Sequence, residues 1–142
     1  MRLLLASLLA ALPALAVSPL PQAPSAPSLE WRGQYQGEPS PAAETVMDAH
    51  RWARLWRSLD QPAPPLDFAR YFAVVAFAGE EPTGGYTIEF LPPVVQGDGL
   101  LIQWRVKAPS PETYTTQAIA HPWKVKAFPR VAGAVKVEQA PH

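Results

Sequence analysis

Few residues in this chain have side chains that could catalyse a reaction. Cysteine is absent, which excludes thiol nucleophiles and Cys-based zinc sites. The three histidines, His50, His121 and His142, include no pair at metal-ligand spacing, and no serine lies in a G-x-S-x-G elbow. Glu80 and Glu81 are adjacent carboxylates, but neighbours in an extended segment point to opposite faces and do not converge on one atom. The sequence therefore predicts a protein that is not an enzyme and holds no metal or cofactor.

The segment after this acidic pair has the composition of a shaped binding loop. It consists of Pro82, Thr83, Gly84, Gly85 and Tyr86, and it lies between two apolar runs. Because proline fixes φ and glycine adopts conformations closed to other residues, we expect a rigid turn with exposed backbone amides that aims Tyr86 in a defined direction. Such a loop is better suited to binding than to catalysis.

A second candidate binding segment occurs later in the chain. It is formed by Gln117, His121, Pro122 and Trp123. Tryptophan and tyrosine dominate protein-binding hot spots, so the two segments would form one binding edge if they lie at the same end of the fold. In the alternative, Tyr86 and Trp123 begin their strands and close the end of the core, where large aromatic residues are mostly buried.

The elements that must position these loops are mostly strands. Alternating or continuous apolar patterns predict about seven of them, at 29–35, 44–47, 72–78, 86–91, 100–107, 123–127 and 135–138. The continuous run at 72–78 suits a central strand covered on both faces. The residues Gln96–Gly99 predict a hairpin between the two strands that flank them.

One amphipathic helix is predicted at Asp48–Leu59, with Asp48 as its N-cap. Its apolar residues recur at i, i+3, i+4 and i+7, and they are Trp52, Leu55, Trp56 and Leu59. The other helix face carries His50, Arg54 and Arg57; it is interpreted as a solvated polar face, with the docking of an acidic partner as the alternative. The fold class that follows is mainly β (α+β): an antiparallel β-sandwich or half-open barrel of about seven strands, with the helix on one end or face.

The first part of the chain is predicted to direct export. A positive start and a short apolar stretch, followed by Ala14 and Ala16 in an A-x-A pattern, indicate a signal peptide at 1–16. A Pro-rich tether is predicted at 17–28, and a single β-rich domain at 29–142. The expected location is periplasmic or secreted, without a membrane span after cleavage. Lys plus Arg and Asp plus Glu number 12 each, so nucleic-acid binding is not expected.

Several of these features, taken in order, resemble the C-terminal domain of PrcB-type protease-complex subunits. They are the two helix tryptophans, Asp67-Phe68, the strand that ends at Ala78-Gly79, the turn Thr83–Tyr86, and Gln117 before His121-Pro122. The resemblance runs from about Val46 to Val137. It implies an exported, non-catalytic protein that associates with a secreted or periplasmic protease and helps to assemble or stabilise it. Members of the family are often lipid-anchored through a cysteine, which this chain lacks.

A second resemblance leads to a different prediction. The order of Pro82–Tyr86 and His121–Trp123 is similar to that of the N-P-T-T-G-Y and R-P-W loops of chagasin-type inhibitors, which wedge into the cleft of cysteine proteases. Glu81, Gly84 and His121 depart from that pattern, and the helix is foreign to it. Three alternatives thus stay open: an accessory subunit of a protease, a direct inhibitor that uses the same loops, and a structural envelope protein. A small ligand at the end of the sandwich is compatible with each.

Overall fold

A computed structural model of the protein describes residues 29–141. The predicted signal peptide at 1–16, the predicted tether at 17–28 and His142 lie outside the described residues. Within residues 29–141, no helix has the length and apolarity required to span a bilayer.

Eight strands and one helix make up the described part of the chain. They are β1 (Glu30–Gly33), β2 (Ala42–Val46), α1 (Ala49–Ser58), β3 (Tyr71–Phe77), β4 (Thr87–Phe90), β5 (Val94–Gln96), β6 (Gly99–Lys107), β7 (Trp123–Pro129) and β8 (Val135–Gln139). The predicted α+β class and the predicted positions of the main strands are confirmed.

The strands form two separate sheets rather than a closed barrel. The first sheet has the order β1-β7-β3-β2, and all of its pairs are antiparallel. In the second sheet, β4 and β5 pair with one side of β6 and β8 with the other. The β6–β8 pair is parallel, which departs from the purely antiparallel arrangement expected from the sequence. It arises because β7, between them in the chain, belongs to the other sheet.

Strand β3 is central and covered on both faces, as its continuous apolar run predicts. Ala73, Val75 and Phe77 face a core shared with α1, whereas Phe72 and Val74 face the second sheet. Residues 72–76 are fully buried. Three layers result, with α1 on one side of the first sheet and the second sheet on the other. This buried strand leads directly into the loop at 80–86.

The helix α1 lies within the range Asp48–Leu59 that the apolar periodicity predicts. The Asp48 side chain caps α1 and accepts a hydrogen bond from the Arg51 amide at 2.8 Å. The ring of Trp56 lies within 5.8 Å of the rings of Trp31, Trp52 and Trp123, measured between centroids, and all of these contacts are edge-on. Four of the five tryptophans therefore form one aromatic core between α1 and the first sheet.

The predicted hairpin at Gln96–Gly99 is present, but it joins β5 rather than β4 to β6. Phe90 pairs with Trp104 in the β4–β6 ladder, and Val94 pairs with Leu101 in the β5–β6 ladder. Four residues of the first strand segment thus correspond to only three residues of β6. The shift by one residue is a bulge at Leu91–Pro93, where proline cannot donate to the ladder.

Candidate functional site

The two candidate binding segments lie side by side at one end of the sandwich. Glu81 and Ala120 exchange two backbone hydrogen bonds of 2.9 Å as an isolated bridge. Further along, the Gly84 amide donates to the Thr116 carbonyl at 3.0 Å. The predicted juxtaposition of the two segments is therefore found. It follows from topology, because β3 ends and β7 begins at the same end of the first sheet.

A third segment, which sequence reasoning did not include, holds the other two in place. The Gln34 side chain accepts a hydrogen bond from the Gly85 amide at 3.1 Å and donates one to the Tyr86 carbonyl at 2.8 Å. The Gln34 carbonyl accepts from the His121 amide at 2.9 Å. In the sequence, Gln34 reads only as a polar residue of the β1 pattern. Its partners are more than 50 positions away in the chain, so no local signal could identify this role.

The conformation of the first loop depends on one of its two glycines. Gly85 has a φ of +89°, and a Cβ there would lie 2.8 Å from Thr115 Cγ2. Gly84 needs no such conformation, and a Cβ would meet Thr116 Cβ at an ordinary 3.4 Å. Thr83 donates from its hydroxyl to the Gly84 carbonyl at 3.0 Å, and Pro82 is exposed. The rigid turn expected from Pro82–Tyr86 is thus tied mainly to Gly85.

Trp123 does not contribute an exposed aromatic surface, and the structure supports the alternative in which this residue closes the end of the core. Its side chain is only 2% exposed, and its indole Nε1 donates to the Tyr35 carbonyl at 2.8 Å. As the first residue of β7, Trp123 points to the face covered by α1, where it packs on Trp56. Pro122 is also buried, whereas His121 and Tyr86 are half-buried and Gln117 is exposed.

Three other residues supply exposed apolar area in the segments near Trp123. Tyr35 is 50% exposed, Ile119 is 58% exposed, and Tyr114 is fully exposed. The sequence pattern placed Tyr35 on the inner face of the first strand. That strand ends at Gly33, and Gln36 has a φ of 72°, so Tyr35 lies in a turn rather than in the core. We use the name loop surface for residues 80–86 and 114–122 together with Gln34 and Tyr35.

The charged groups of the loop surface do not form a catalytic pair. Glu80 faces His121 with 3.5 Å between Oε2 and Nε2. Glu81, next to it, is half-buried, and burial raises the pKa of its carboxyl group. Within residues 29–141 no cluster of His, Asp and Glu side chains could hold a metal ion. The backbone amides of Glu81, Gly84 and Gly85 are hydrogen-bonded within the protein, so the exposed backbone amides expected from the sequence are not found at these positions.

Comparison with known proteins gives a family match that includes most of this surface. No curated protein and no solved structure matches the chain. A family model described as PrcB C-terminal matches residues 72–129. That range runs from β3 to β7 and contains both loops, whereas α1, β1, β2, β8 and Asp67-Phe68 lie outside it. The resemblance to the PrcB-type C-terminal domain is therefore confirmed over residues 72–129, a shorter stretch than the one expected from the sequence.

Proposed function

We propose that this protein is an exported, non-catalytic protein-binding domain that serves as an accessory or stabilising subunit of a secreted or periplasmic protease complex. The observation that carries the proposal is the PrcB C-terminal match over residues 72–129, because it covers both loops of the loop surface. This family is associated with protease complexes. Export is supported by the signal-peptide pattern at 1–16.

The geometry of the loop surface supports a role in protein binding. Tyr35, Tyr114 and Ile119 are large side chains that are exposed on segments of the loop surface, and backbone hydrogen bonds connect these segments. Tyrosine is enriched at binding hot spots because it offers a large rigid area and one polar group. The hydrogen bonds from Gln34 to Gly85 and Tyr86 fix the underlying backbone, so binding would cost little loop entropy.

Direct inhibition of a cysteine protease is the weaker alternative. A wedge built from Pro82–Tyr86 and His121–Trp123 would need the aromatic ring of the second loop at the tip. Trp123 is instead buried against Trp56 and bonded to the Tyr35 carbonyl. An accessory role makes no such demand, since any exposed apolar side chains of the loop surface can contact a partner.

Affinity capture from the native envelope fraction tests the proposal. The full-length protein is compared with the double variant Tyr114→Ala and Ile119→Ser, and the eluates are assayed for proteolysis. The matched control is Val95→Ala, which removes a 73% exposed apolar side chain from β5, at the opposite end of the sandwich. We expect wild type and Val95→Ala to retain an active protease and the double variant to lose it.

Each other outcome has a defined meaning. A protease that is captured but inactive favours the inhibitor alternative. Equal capture by wild type and the double variant shows that the loop surface is not the contact. Capture of no protease by any of the proteins contradicts the accessory role and leaves the structural envelope protein as the remaining reading.

A further inference from the structure

A cleft of about 690 Å³ lies between α1 and β2, outside the loop surface. Its apolar part is formed by Ala42, Leu55 and Phe77, and helix residues Arg51 and Arg54 stand at its rim. It is open to solvent along one side and has the size of a typical ligand or peptide site. Neither the proposed protease association nor the two loops make use of it.

The cleft runs along the outer edge of a strand. β2 is the last strand of the first sheet; within residues 29–141 only β3 pairs with it, although β8 of the second sheet also lies near it. Ala42, Ala43 and Glu44 all line the cleft. Since successive side chains of a strand point to opposite faces, a cleft lined by three consecutive residues of an edge strand is in reach of its backbone edge. A free edge of this kind can pair with an added extended segment.

The opposite wall of the cleft is cationic. α1 contains arginines but no Asp or Glu. Arg51 lies 3.6 Å from Glu44, so these two charges largely neutralise each other. Arg54 makes no ion pair or hydrogen bond with any other described residue. Glu38 also lines the cleft, on the segment that precedes β2 rather than on the helix wall. The helix wall thus presents one uncompensated positive charge toward the edge of β2.

From these features we infer that the cleft binds an extended peptide segment of a partner protein, which adds as a strand to β2 and places an acidic side chain against Arg54. The main-chain pairing supplies affinity, and an apolar side chain of the same segment fills the space between Ala42, Leu55 and Phe77. The basic strip on α1 is then part of a binding site rather than only a solvated face. This inference does not depend on the proposed protease association.

A random twelve-residue peptide library, selected on the immobilised full-length protein, tests the inference. We expect the enriched peptides to be rich in β-branched residues and to contain Asp or Glu at a fixed position. Labelled forms of these peptides should shift the amide NMR signals of residues 42–46. N-methylation at alternate residues on the pairing side of a peptide should abolish binding, because it removes the donors of the added strand.

The role of Arg54 is tested by charge reversal. Arg54→Glu should weaken the acidic peptides about tenfold, since an attractive exposed pair becomes a repulsive one. A lysine version of the same peptide should regain affinity for Arg54→Glu. Arg57→Glu is the matched control, because it makes the same change in charge on the same helix but does not line the cleft; it should change affinity less than twofold.

Each of the following results overturns the inference. These are no enrichment over a blank surface, no excess of acidic residues in the selected peptides, equal effects of Arg54→Glu and Arg57→Glu, and NMR shifts confined to residues 80–86 and 114–122. Binding that survives N-methylation would likewise show a pocket ligand rather than an added strand. Tyr114→Ala should leave peptide affinity unchanged, which separates this site from the loop surface.

Discussion

The loops at Pro82–Tyr86 and His121–Trp123 share a proline and an aromatic residue, but they differ in how deeply the aromatic side chain is buried. Both combine a proline with an aromatic residue at the start of a strand, and the structure places them side by side. Tyr86 precedes β4 and remains half-buried, whereas Trp123 begins β7 and is buried under α1. The difference arises from the layer that each strand faces. β7 lies in the sheet covered on both sides, and β4 is an edge strand of the outer sheet.

This comparison separates architecture from binding surface within one end of the molecule. Trp123 anchors the loops from below through its bond to the Tyr35 carbonyl. Tyr35, Tyr114 and Ile119 expose the apolar area above. Substitution of the buried Trp123 should therefore reduce stability. Substitution of the exposed Tyr114 or Ile119 should reduce partner binding with little change in stability.

The largest effect is expected for Trp123→Ala. The substitution leaves a cavity beside Trp56 and leaves the Tyr35 carbonyl without its partner, so the free energy of unfolding should fall by about 3–5 kcal/mol. Urea denaturation followed by tryptophan fluorescence measures it. A fall of less than 1 kcal/mol would place Trp123 on the surface and remove the contrast between the two loops.

A smaller loss of stability is expected for Gly85→Ala. The φ of +89° costs an L-residue about 1–2 kcal/mol, and the new Cβ would press on Thr115. Gly84→Ala is the matched control and should cost less than about 1 kcal/mol, because its Cβ meets only an ordinary contact. Equal effects of the two changes in urea denaturation would show that the loop does not depend on the backbone conformation of Gly85.

Gln34→Ala should reduce stability by about 1–2 kcal/mol, because it removes two hydrogen bonds to the backbone of Gly85 and Tyr86. The amides of residues 84–86 should also exchange with deuterium faster than those of β3. Gln117→Ala provides the control, since that side chain bonds only to Thr115, two residues away, at 3.3 Å. Unchanged exchange in Gln34→Ala would mean that the loop holds its shape without the clamp.

Tyr114→Ala should change the free energy of unfolding by no more than about 0.5 kcal/mol, because the ring is fully exposed. Thermal and urea midpoints measured beside wild type give this value. A larger loss would show that Tyr114 packs on the protein, and it would then no longer distinguish the binding surface from the core.

The smallest effect is expected for Glu81→Gln. Burial raises the pKa of the Glu81 carboxyl group, so the folded state binds its proton more tightly than the unfolded state does. This tighter proton binding adds to the free energy of unfolding at pH values below the pKa that Glu81 has in the unfolded state. The added stability is lost as the pH rises through the pKa of Glu81 in the folded state. The glutamine variant should therefore be slightly more stable than wild type at pH 7, with the advantage shrinking toward pH 4. Urea midpoints at the two pH values measure it, and a constant difference would exclude this cause.

Much of the local structure could be predicted from the sequence. The helix and its Asp48 cap follow from apolar spacing, and the doubly covered β3 follows from a run of seven apolar residues. The hairpin at Gln96–Gly99 follows from turn chemistry. These features depend on neighbours in the chain, which is why the sequence alone determines them. The turn at Pro82–Tyr86 is only partly of this kind: its glycines permit the conformation, but long-range bonds to Gln34 and Thr116 hold it.

Contacts between distant segments were decided only by the tertiary structure. The parallel β6–β8 pair depends on where β7 goes, and the burial of Trp123 depends on α1 covering that face of the sheet. The clamp from Gln34 joins residues that are about 50 positions apart, and the cleft beside β2 exists only because that strand lies at an edge. Periodicity in the sequence shows which face of a strand or helix is apolar, but long-range packing determines which other element covers that face.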